Sequence, residues 1–368
     1  MRILLCGGGT AGHVMPAIAI AEILEKSFPG VNIAFAGRVG GNENKAYAKT
    51  KHHLYTIDIC GIRRSLSISN LKAFFKILRC GKGARKIIKD FGPDVIIGTG
   101  GYVCYPFIRQ GQRIGIKTVI HESNVYPGLV TRMLGPKCDK LLLNLEGTRK
   151  YLKIAENTLV VGNPTRKSFG AVTRSEAKRR LNIPKGKRLI VSFGGSLGSE
   201  AINSAVLEFI ESTVLKRNDL YHIHATGRNY YTSLKSQRTD LFKNQRNARI
   251  LPYIEDMPTV MTAADVALTR SGAITISELA RCGTPSILIP SPNVTANHQL
   301  INAEYMKNNG AASVIEEKDL TSERLKEALL SLIGSDEKMR KMSLCAHAVY
   351  TSNTDTLIAD AIRELTRA

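Results

Sequence analysis

Residues 2–23, which read RILLCGGGTAGHVMPAIAIAEI, decide the fold because residues 188–209, RLIVSFGGSLGSEAINSAVLEF, repeat the same pattern. In each copy a short apolar strand leads into a glycine-rich loop and then into a helical pattern, which in the first copy is predicted to run from about Val14 to Lys26. With a constant offset of 186 residues, the matching pairs are Arg2 and Arg188, Gly8 and Gly194, Gly9 and Gly195, Thr10 and Ser196, and Gly12 and Gly198. Two such openings, half a chain apart, predict two doubly wound α/β domains that face one another.

The first copy also contains the dinucleotide-binding pattern G-x-G-x-x-G, at Gly7, Gly9 and Gly12. That pattern needs an acidic residue at the end of the next strand, where it binds the ribose. The next predicted strand, 32–36, is followed instead by a glycine and Arg38. The sequence therefore disfavours binding of NAD. An NADP-dependent oxidoreductase, in which Arg38 would contact the cofactor, stays open as an alternative. The second copy lacks the complete pattern.

The two copies differ at position 13, where the first has His13 and the second has Ser199. A neutral imidazole just beyond a glycine loop can take a proton from a hydroxyl group. A histidine near a helix start is also often a capping or packing residue. The difference favours the first domain as the reacting side and the second domain as the nucleotide side.

The composition is that of a soluble globular α/β protein, with 43% hydrophobic and 23% charged residues. The seven cysteines form no C-x-x-C pair and no cluster with histidine, which argues against a zinc site and a disulfide scaffold and fits a reducing cytosol. No run of 18 apolar residues occurs, and the sequence enters a predicted strand at Arg2. We therefore expect a chain that is neither exported nor membrane-spanning.

The net charge of +21 is concentrated in the first part of the chain. Residues 1–150 hold 23 Lys/Arg against 9 Asp/Glu, whereas the remaining residues hold 29 against 22. A basic half indicates an acidic partner, which can be nucleic acid, anionic lipid or a phosphorylated substrate. Charge alone does not choose among these three.

The segment 63–89 is basic and amphipathic, with nine Lys/Arg and no acidic residue. Four apolar residues fall at i, i+3, i+4 and i+7 and form one stripe: Leu71, Phe74, Phe75 and Leu78. Three basic residues flank that stripe: Lys72, Lys76 and Arg79. Such a stripe can pack on a core, but a basic surround is also typical of a helix that lies in an anionic bilayer surface. We expect Gly81 and Gly83 to interrupt this helix.

Polar residues follow several predicted strands. A glycine loop, 98–102, follows strand 95–97, and the residues HESN, 121–124, follow strand 118–120. The stretch RSGAITISE, 270–278, joins strand 264–269 to a predicted helix, 274–282. A helix start suits a phosphate, and Glu278 could accept hydrogen bonds from ribose hydroxyls, although it could also only complement the helix dipole. The polar loop 293–299 could bind sugar hydroxyls.

These motifs, in this order, resemble those of the MurG family of N-acetylglucosaminyltransferases. The resemblance rests on GGGTAGH at 7–13, GTGGYV at 98–103, HESN at 121–124, GNPTR at 162–166, FGGSLGS at 193–199, RSGAITISE at 270–278 and NHQLINA at 297–303. It implies the GT-B fold, an α/β architecture of two Rossmann-like doubly wound domains facing across a cleft. The implied domains are 1–162, completed by a C-terminal helix at about 347–368, and 163–346.

The resemblance implies transfer of N-acetylglucosamine from UDP-N-acetylglucosamine to the muramyl hydroxyl of lipid I, an undecaprenyl-diphosphate-linked muramyl-pentapeptide. His13 resembles the family's general base. The implied donor-binding residues are Thr10, Ala11, Gly12, Asn124, Arg166, Ser196, Ile254, Ala273, Ile274, Thr275, Ile276, Ser277, Glu278 and Gln299. The implied acceptor-side residues are Gly9, Gly100, Gly101, Tyr102, His121 and Glu122. Ala11 stands where relatives commonly have glycine, and His298 where many have glutamine.

The same resemblance implies an inverting reaction and a peripheral position on the cytoplasmic face of the cell membrane. We expect no cofactor and no obligatory metal, because no Asp-x-Asp pair lies near either glycine loop. The expected partners are the two substrates, an anionic membrane surface and proteins of cell-wall synthesis, but no nucleic acid. Three rival hypotheses stay open: a transferase with another lipid or glycan acceptor, the NADP-dependent oxidoreductase, and a non-catalytic RNA- or lipid-binding protein.

Overall fold

A computed structural model describes residues 1–41, 43–59, 68–152 and 156–367, without the side chains of residues 11, 68–79, 295 and 367. The chain divides into two compact units. The first comprises Met1–Pro164 and Thr351–Ala368, and the second comprises Thr165–Tyr350. From the sequence, these two divisions are expected at 162/163 and near 347.

The first unit is built on a seven-stranded, fully parallel sheet. Its strands are β1 (Arg2–Cys6), β2 (Asn32–Arg38), β3 (His53–Ile57), β4 (Val95–Gly98), β5 (Lys117–Glu122), β6 (Lys140–Leu143) and β7 (Thr158–Val160). Their order in the sheet is β3-β2-β1-β4-β5-β6-β7. The helices between them are α1 (Ala11–Ser27), α2 (Glu43–Tyr47), α3 (Ile68–Phe91), α4 (Cys104–Ile114) and α5 (Leu129–Leu134).

The second unit repeats this topology with six parallel strands. These are β8 (Arg188–Phe193), β9 (Leu220–Ala225), β10 (Ala248–Leu251), β11 (Val266–Thr269), β12 (Ser286–Leu288) and β13 (Ser313–Val314), in the order β10-β9-β8-β11-β12-β13. Its helices are α6 (Arg174–Arg180), α7 (Glu200–Ser212), α8 (Arg228–Gln237), α9 (Thr239–Lys243), α10 (Met257–Ala263), α11 (Ala273–Cys282), α12 (His298–Asn308), α13 (Ser322–Ile333) and α14 (Asp336–Val349). The last helix, α15 (Thr354–Arg367), belongs to the first unit.

The sheets are parallel because their strands are apolar on both faces. In β1, Leu4 belongs to a core with residues of α3 and α4, whereas its neighbours Ile3 and Leu5 belong to a core with residues of α1 and α15. Helices on both faces are the arrangement that buries such strands. The prediction of two doubly wound domains, drawn from the repeated strand and loop, is therefore confirmed.

Three local predictions are wrong. Helix α1 begins at Ala11 rather than near residue 14, so His13 lies inside its first turn. Helix α3 runs without a break through Gly81 and Gly83, because two glycines weaken a helix without stopping it when the rest of the helix packs. His121 and Glu122 end strand β5 instead of following it. Among the described residues no helix is both long enough and apolar enough to cross a bilayer.

Candidate active site

Each unit carries a glycine-rich loop at the same point of its topology. Strand β1 pairs with β2 on one side and β4 on the other, and β8 pairs with β9 and β11 in the same way. The connections that follow β1 and β4 therefore leave the carboxyl edge of the first sheet side by side, as do those after β8 and β11 in the second. Ligands of open α/β sheets bind at this switch point.

In the first unit, the loop after β1 positions His13. The Nδ1 atom of His13 lies 3.1 Å from the carbonyl oxygen of Gly8 and 3.2 Å from Oγ1 of Thr10. Because a carbonyl oxygen only accepts hydrogen bonds, Nδ1 is assigned the proton and Nε2 the lone pair. The ring is partly exposed. His13 is thus oriented as a proton acceptor through Nε2.

The second glycine loop of this unit, which follows β4, packs against the His13 ring. A Cβ atom at Gly100 would lie 2.6 Å from Cδ2 of His13, and one at Gly101 would lie 2.1 Å from the carbonyl oxygen of Gly8. Both glycines have positive φ, +109° and +79°. The sequence GTGGYV therefore provides the space that the imidazole and the first loop occupy. Tyr102 lies beside Gly9, at 3.4 Å from a Cβ built there.

Three residues that the sequence analysis did not assign hold the loop after β1 in place. The hydroxyl of Thr99 donates to the backbone carbonyl of His13 at 2.6 Å, and the hydroxyl of Tyr47 donates to that of Gly7 at 2.7 Å. The buried carboxylate of Glu43 accepts from the backbone N–H of Gly9 at 3.5 Å. Thr99 belongs to the quoted GTGGYV motif, whereas nothing in the sequence marked Tyr47 and Glu43.

The end of β5 holds two polar residues whose side chains are buried. His121 is fully buried, and its Nε2 bonds the carbonyl oxygen of Gly162 at 3.0 Å. Burial lowers the pKa of His121, which favours the neutral form of the ring. Glu122 accepts hydrogen bonds from both nitrogens of Asn124, from the N–H of Gly128 at 2.9 Å and from the hydroxyl of Thr131 at 2.6 Å. Glu122 thus supports the loop that presents Asn124, whereas His121 bonds Gly162. The contact of both residues with an acceptor stays a prediction.

In the second unit, the loop after β8 exposes Ser196 and ends at the start of α7. Ser199 is the N-cap of this helix, and its Oγ accepts from the N–H of Ile202 at 3.4 Å. Arg270, the first residue after β11, donates to the same Oγ at 2.6 Å, pairs with Glu317 and donates to the carbonyl of Ile289 at 3.2 Å. Arg270 therefore bonds the segments that follow β8, β12 and β13 to one another at the carboxyl edge of the second sheet. The sequence did not predict this role.

The predicted donor-binding segment forms the first turns of α11. Ala273, Ile276 and Ser277 are buried, and the hydroxyl of Ser277 donates to the carbonyl of Ala273 at 3.0 Å. Ile274 and Thr275 are partly exposed. Glu278 is partly exposed as well, so a ligand can reach the side chains of Ile274, Thr275 and Glu278. The helix start adds a partial positive charge.

Glu278 has an unusual electrostatic environment. Burial raises the pKa of its carboxyl to about 7, against the opposing field of the Arg166 guanidinium. The side chain of Arg166 is exposed and stacks on the ring of Phe169 at 5.1 Å. A carboxylate and a guanidinium next to a helix start can bind ribose hydroxyls and a diphosphate together. The structure thus brings Arg166 and Glu278 to the same region.

Two further predicted donor residues lie on the loops of this sheet edge. Gln299, in the first turn of α12, accepts the N–H of Ser291 on its Oε1 at 2.9 Å, and its backbone carbonyl accepts the hydroxyl of Ser271 at 2.7 Å. Ile254 follows β10 and is buried. Gln299 therefore belongs to the framework around the start of α11, whereas Ile254 follows the edge strand of the same sheet.

Other predicted residues are described only in part. Thr10 is the N-cap of α1 and Gly12 lies in its first turn, whereas the side chain of Ala11 is outside the described residues. The membrane-facing set, namely Leu71, Lys72, Phe74, Phe75, Lys76, Leu78 and Arg79, lies within α3, where the side chains are outside the described residues. In the described part of the chain, no group of three or more His, Cys, Asp or Glu residues is placed to hold a metal ion.

Family models match both units. The N-terminal domain of glycosyltransferase family 28 matches residues 3–143, and its C-terminal domain matches residues 189–360. A relative from Acetivibrio thermocellus is 39% identical over 99% of this chain and 98% of its own length. One from Thermoanaerobacter sp. strain X514 is 38% identical over all of both chains. Both are named UDP-N-acetylglucosamine--N-acetylmuramyl-(pentapeptide) pyrophosphoryl-undecaprenol N-acetylglucosamine transferase.

The fold agrees with this relationship. The crystal structure of Acinetobacter baumannii MurG superimposes with a TM-score of 0.79, covers 99% of both chains and is 24% identical in sequence. The chain therefore belongs to the MurG family, within glycosyltransferase family 28.

Proposed function

We propose that this chain transfers N-acetylglucosamine from UDP-N-acetylglucosamine to the muramyl hydroxyl of lipid I and so forms lipid II, the disaccharide intermediate of peptidoglycan synthesis. The full-length relatives at 38–39% identity carry the name of this activity. The proposed activity is therefore that of an N-acetylglucosaminyltransferase.

The observation that carries the proposal is the orientation of His13. A hydroxyl nucleophile needs a base that removes its proton while the new bond forms. The hydrogen bond of Nδ1 to the carbonyl of Gly8 leaves the lone pair on Nε2. Thr99 donates to the backbone carbonyl of the same residue at 2.6 Å, so that both the backbone and the Nδ1 side of the ring are held. No comparable proton acceptor stands at the matching position of the second unit, where Ser199 caps a helix.

The residues of the second unit suit the donor. Glu278 accepts hydrogen bonds from the two ribose hydroxyls once it is ionised, and Arg166 and the start of α11 meet the negative charge of the diphosphate. Ser196 adds a hydroxyl donor on the exposed loop after β8. Gln299 and Ile254 complete the donor set of the second unit, and Thr10, Ala11, Gly12 and Asn124 are the donor-binding residues that we assign to the first unit.

The reaction is a single displacement. The muramyl oxygen forms a bond to the anomeric carbon of N-acetylglucosamine, the bond from that carbon to the β-phosphate oxygen breaks, and the configuration inverts. The proton of the attacking hydroxyl goes to Nε2 of His13, and the electron pair leaves with UDP. The developing charge on UDP is stabilised by the helix start and by Arg166, groups that already have their orientation before the reaction. No metal or cofactor is assigned a step.

The acceptor side belongs to the first unit. We assign the acceptor diphosphate to the loops that contain Gly9, Gly100, Gly101 and Tyr102, with His121 and Glu122 beneath them. We assign the basic, amphipathic segment 63–89 to the anionic surface of the cytoplasmic leaflet, where a polyprenyl substrate resides. In this position the chain is a peripheral membrane protein and a neighbour of other cell-wall synthesis proteins.

The membrane assignment has its own test. The double variant Phe74→Glu and Phe75→Glu should lose binding to vesicles that contain anionic lipid, while its melting temperature and its binding of UDP-N-acetylglucosamine stay unchanged. Loss of folding would instead make the stripe part of the core, and unchanged vesicle binding would remove α3 from the membrane surface.

The function is tested in two steps. Calorimetry with UDP-N-acetylglucosamine, UDP-glucose and NADPH, without added metal, should show selective binding of the N-acetyl sugar nucleotide. Labelled donor and lipid I should then give labelled lipid II and UDP in equal amounts. Binding of NADPH alone would return the first glycine loop to a dinucleotide role. Transfer to an acceptor that lacks the lipid diphosphate, at an equal rate, would favour another transferase.

A further inference from the structure

Arg281, in the last turn of α11, makes a set of contacts that the assigned activity does not use. Its Nε donates to the carbonyl oxygen of Phe169 at 2.9 Å. Its Nη1 donates to Oγ1 of Thr165 at 3.1 Å and to the hydroxyl of Tyr350 at 2.7 Å. The guanidinium carbon also lies 5.5 Å from the centre of the Tyr350 ring. One partly buried side chain thus binds three separate acceptors.

Two of these acceptors mark the ends of the second unit. Thr165 is the first residue of that unit, and Tyr350 is the last. Their hydroxyl oxygens lie 3.4 Å apart. The third acceptor, Phe169, belongs to the same entering segment, 165–170, which continues along the end of α11 until the N–H of Gly170 donates to Thr262 at 3.0 Å. Arg281 therefore fastens both ends of the unit to one helix.

The fastened segment carries Arg166, which stacks on the Phe169 ring at 5.1 Å. The position of Phe169 thus fixes the position of Arg166, and Arg281 fixes Phe169 through its carbonyl. Glu278 precedes Arg281 by three residues on α11, which places both on the same side of the helix. Arg166 also acts on the Glu278 carboxyl through its charge.

We propose that Arg281 is a positioning residue for the nucleotide donor, which holds Arg166 beside Glu278 by fastening segment 165–170 to α11. The proposal rests on the proposed function only in taking Arg166 and Glu278 as donor-binding residues. A basic residue in the last turn of a helix also complements the helix dipole, but that effect needs charge alone. The three hydrogen bonds need the planar fork of arginine, which lysine lacks.

The test is a double-mutant cycle, read by calorimetry with UDP-N-acetylglucosamine on the full chain. Arg281→Lys keeps the positive charge and removes the fork, and it should weaken donor binding about tenfold. Arg166→Ala should weaken donor binding by at least as much. The double variant should bind no more weakly than Arg166→Ala alone, because Arg281 acts through Arg166. Two effects that multiply would overturn the proposal.

Arg174→Ala provides the matched control. Arg174 donates to the carbonyl of Gly283 at 3.3 Å, at the same end of α11, rather than to the carbonyl of Phe169 as Arg281 does. It should lower the melting temperature without changing the donor Kd. If Arg281→Lys also lowers only the melting temperature, Arg281 is structural only and the proposal fails.

If Arg281→Lys prevents folding, the variant Tyr350→Phe replaces it, because it removes one of the three acceptors. Tyr350→Phe should still weaken donor binding, and an unchanged Kd in that variant would overturn the proposal. If the unchanged chain binds no UDP-N-acetylglucosamine, the proposed function fails first.

Discussion

The two strand-loop-helix segments of this chain match at the same offset of 186 residues, yet their helices begin at different places. Helix α1 begins at Ala11, whereas α7 begins at Glu200, which corresponds to position 14 of the first copy. The cause lies in one pair of matched glycines. Gly12 lies inside α1, but Gly198 has a φ of +86°, which a right-handed helix excludes. The helix of the second copy can therefore begin only after Gly198.

That shift gives the matched positions 13 and 199 different chemistry. In the first unit His13 lies in the first turn of the helix and directs Nδ1 back to Gly8. In the second unit Ser199 precedes the helix, caps it and accepts a hydrogen bond from Arg270. The same sequence pattern thus yields a proton acceptor in one unit and a structural cap in the other. Three predictions test the differences between the two units.

The largest effect should come from His13→Ala. Removal of a general base typically slows a reaction about 10²- to 10⁴-fold, so kcat with lipid I should fall in this range while the Kd for UDP-N-acetylglucosamine stays unchanged. Ser199→Ala removes a helix cap and should cost about 1 kcal/mol of stability, with a far smaller loss of kcat. The measurements are steady-state transfer rates and calorimetry. Equal losses of turnover and donor binding for His13→Ala would make His13 a structural residue.

Much of the architecture could be predicted because it depends on local pattern. The repeat, the apolar strands and the glycine loops predicted both sheets, since a strand that is apolar on both faces must lie inside a parallel sheet. The motif order also predicted the family. The sequence also shows that the matched positions hold different residues, His13 and Ser199. It does not predict that the two helices begin at different positions.

The rest depends on contacts between residues that are distant along the chain. Burial of His121 at the end of β5, 41 residues before its partner Gly162, follows from packing that no local pattern records. Arg270 and Arg281 looked like ordinary basic residues, and only the structure gives each of them three acceptors. The pKa of Glu278 is likewise a product of its surroundings.

A second prediction concerns the matched glycines and should have an intermediate effect. Gly198→Ala places a Cβ 2.1 Å from the carbonyl oxygen of Thr226 at a positive φ, and should destabilise the chain by about 3 kcal/mol. A Cβ at Gly12 has Oγ1 of Thr10, at 3.7 Å, as its nearest atom among the described residues that are not its chain neighbours or its own helix backbone. Gly12→Ala should therefore leave the stability unchanged or raise it by about 0.5–1 kcal/mol. Denaturant unfolding of the two variants measures the contrast. Similar losses in both would mean that the two loops have the same backbone after all.

The smallest effect, about tenfold in donor affinity, should come from Glu278→Gln, and it should depend on pH. The folded-state pKa of about 7 lies above the ordinary value of 4.5, because burial disfavours the charged carboxylate. In the unfolded chain the Glu278 carboxyl loses its proton at a lower pH than in the folded chain. Its contribution to the free energy of unfolding therefore falls as pH rises from 4.5 to about 7. Glu278→Gln should therefore melt at a higher temperature than the unchanged chain at pH 8, and at a similar temperature at pH 5.

Donor binding should follow the opposite course, which distinguishes a binding carboxylate from one that only packs. Ribose hydroxyls donate to the ionised form, so the unchanged chain should bind UDP-N-acetylglucosamine more tightly at pH 8 than at pH 6, whereas Glu278→Gln should bind it weakly at both. Calorimetry at the two pH values gives this comparison. A variant that gains stability and keeps its affinity would remove Glu278 from the donor site. A variant that loses both would make Glu278 a structural ion partner of Arg166, and the second unit would then lack a group for the ribose.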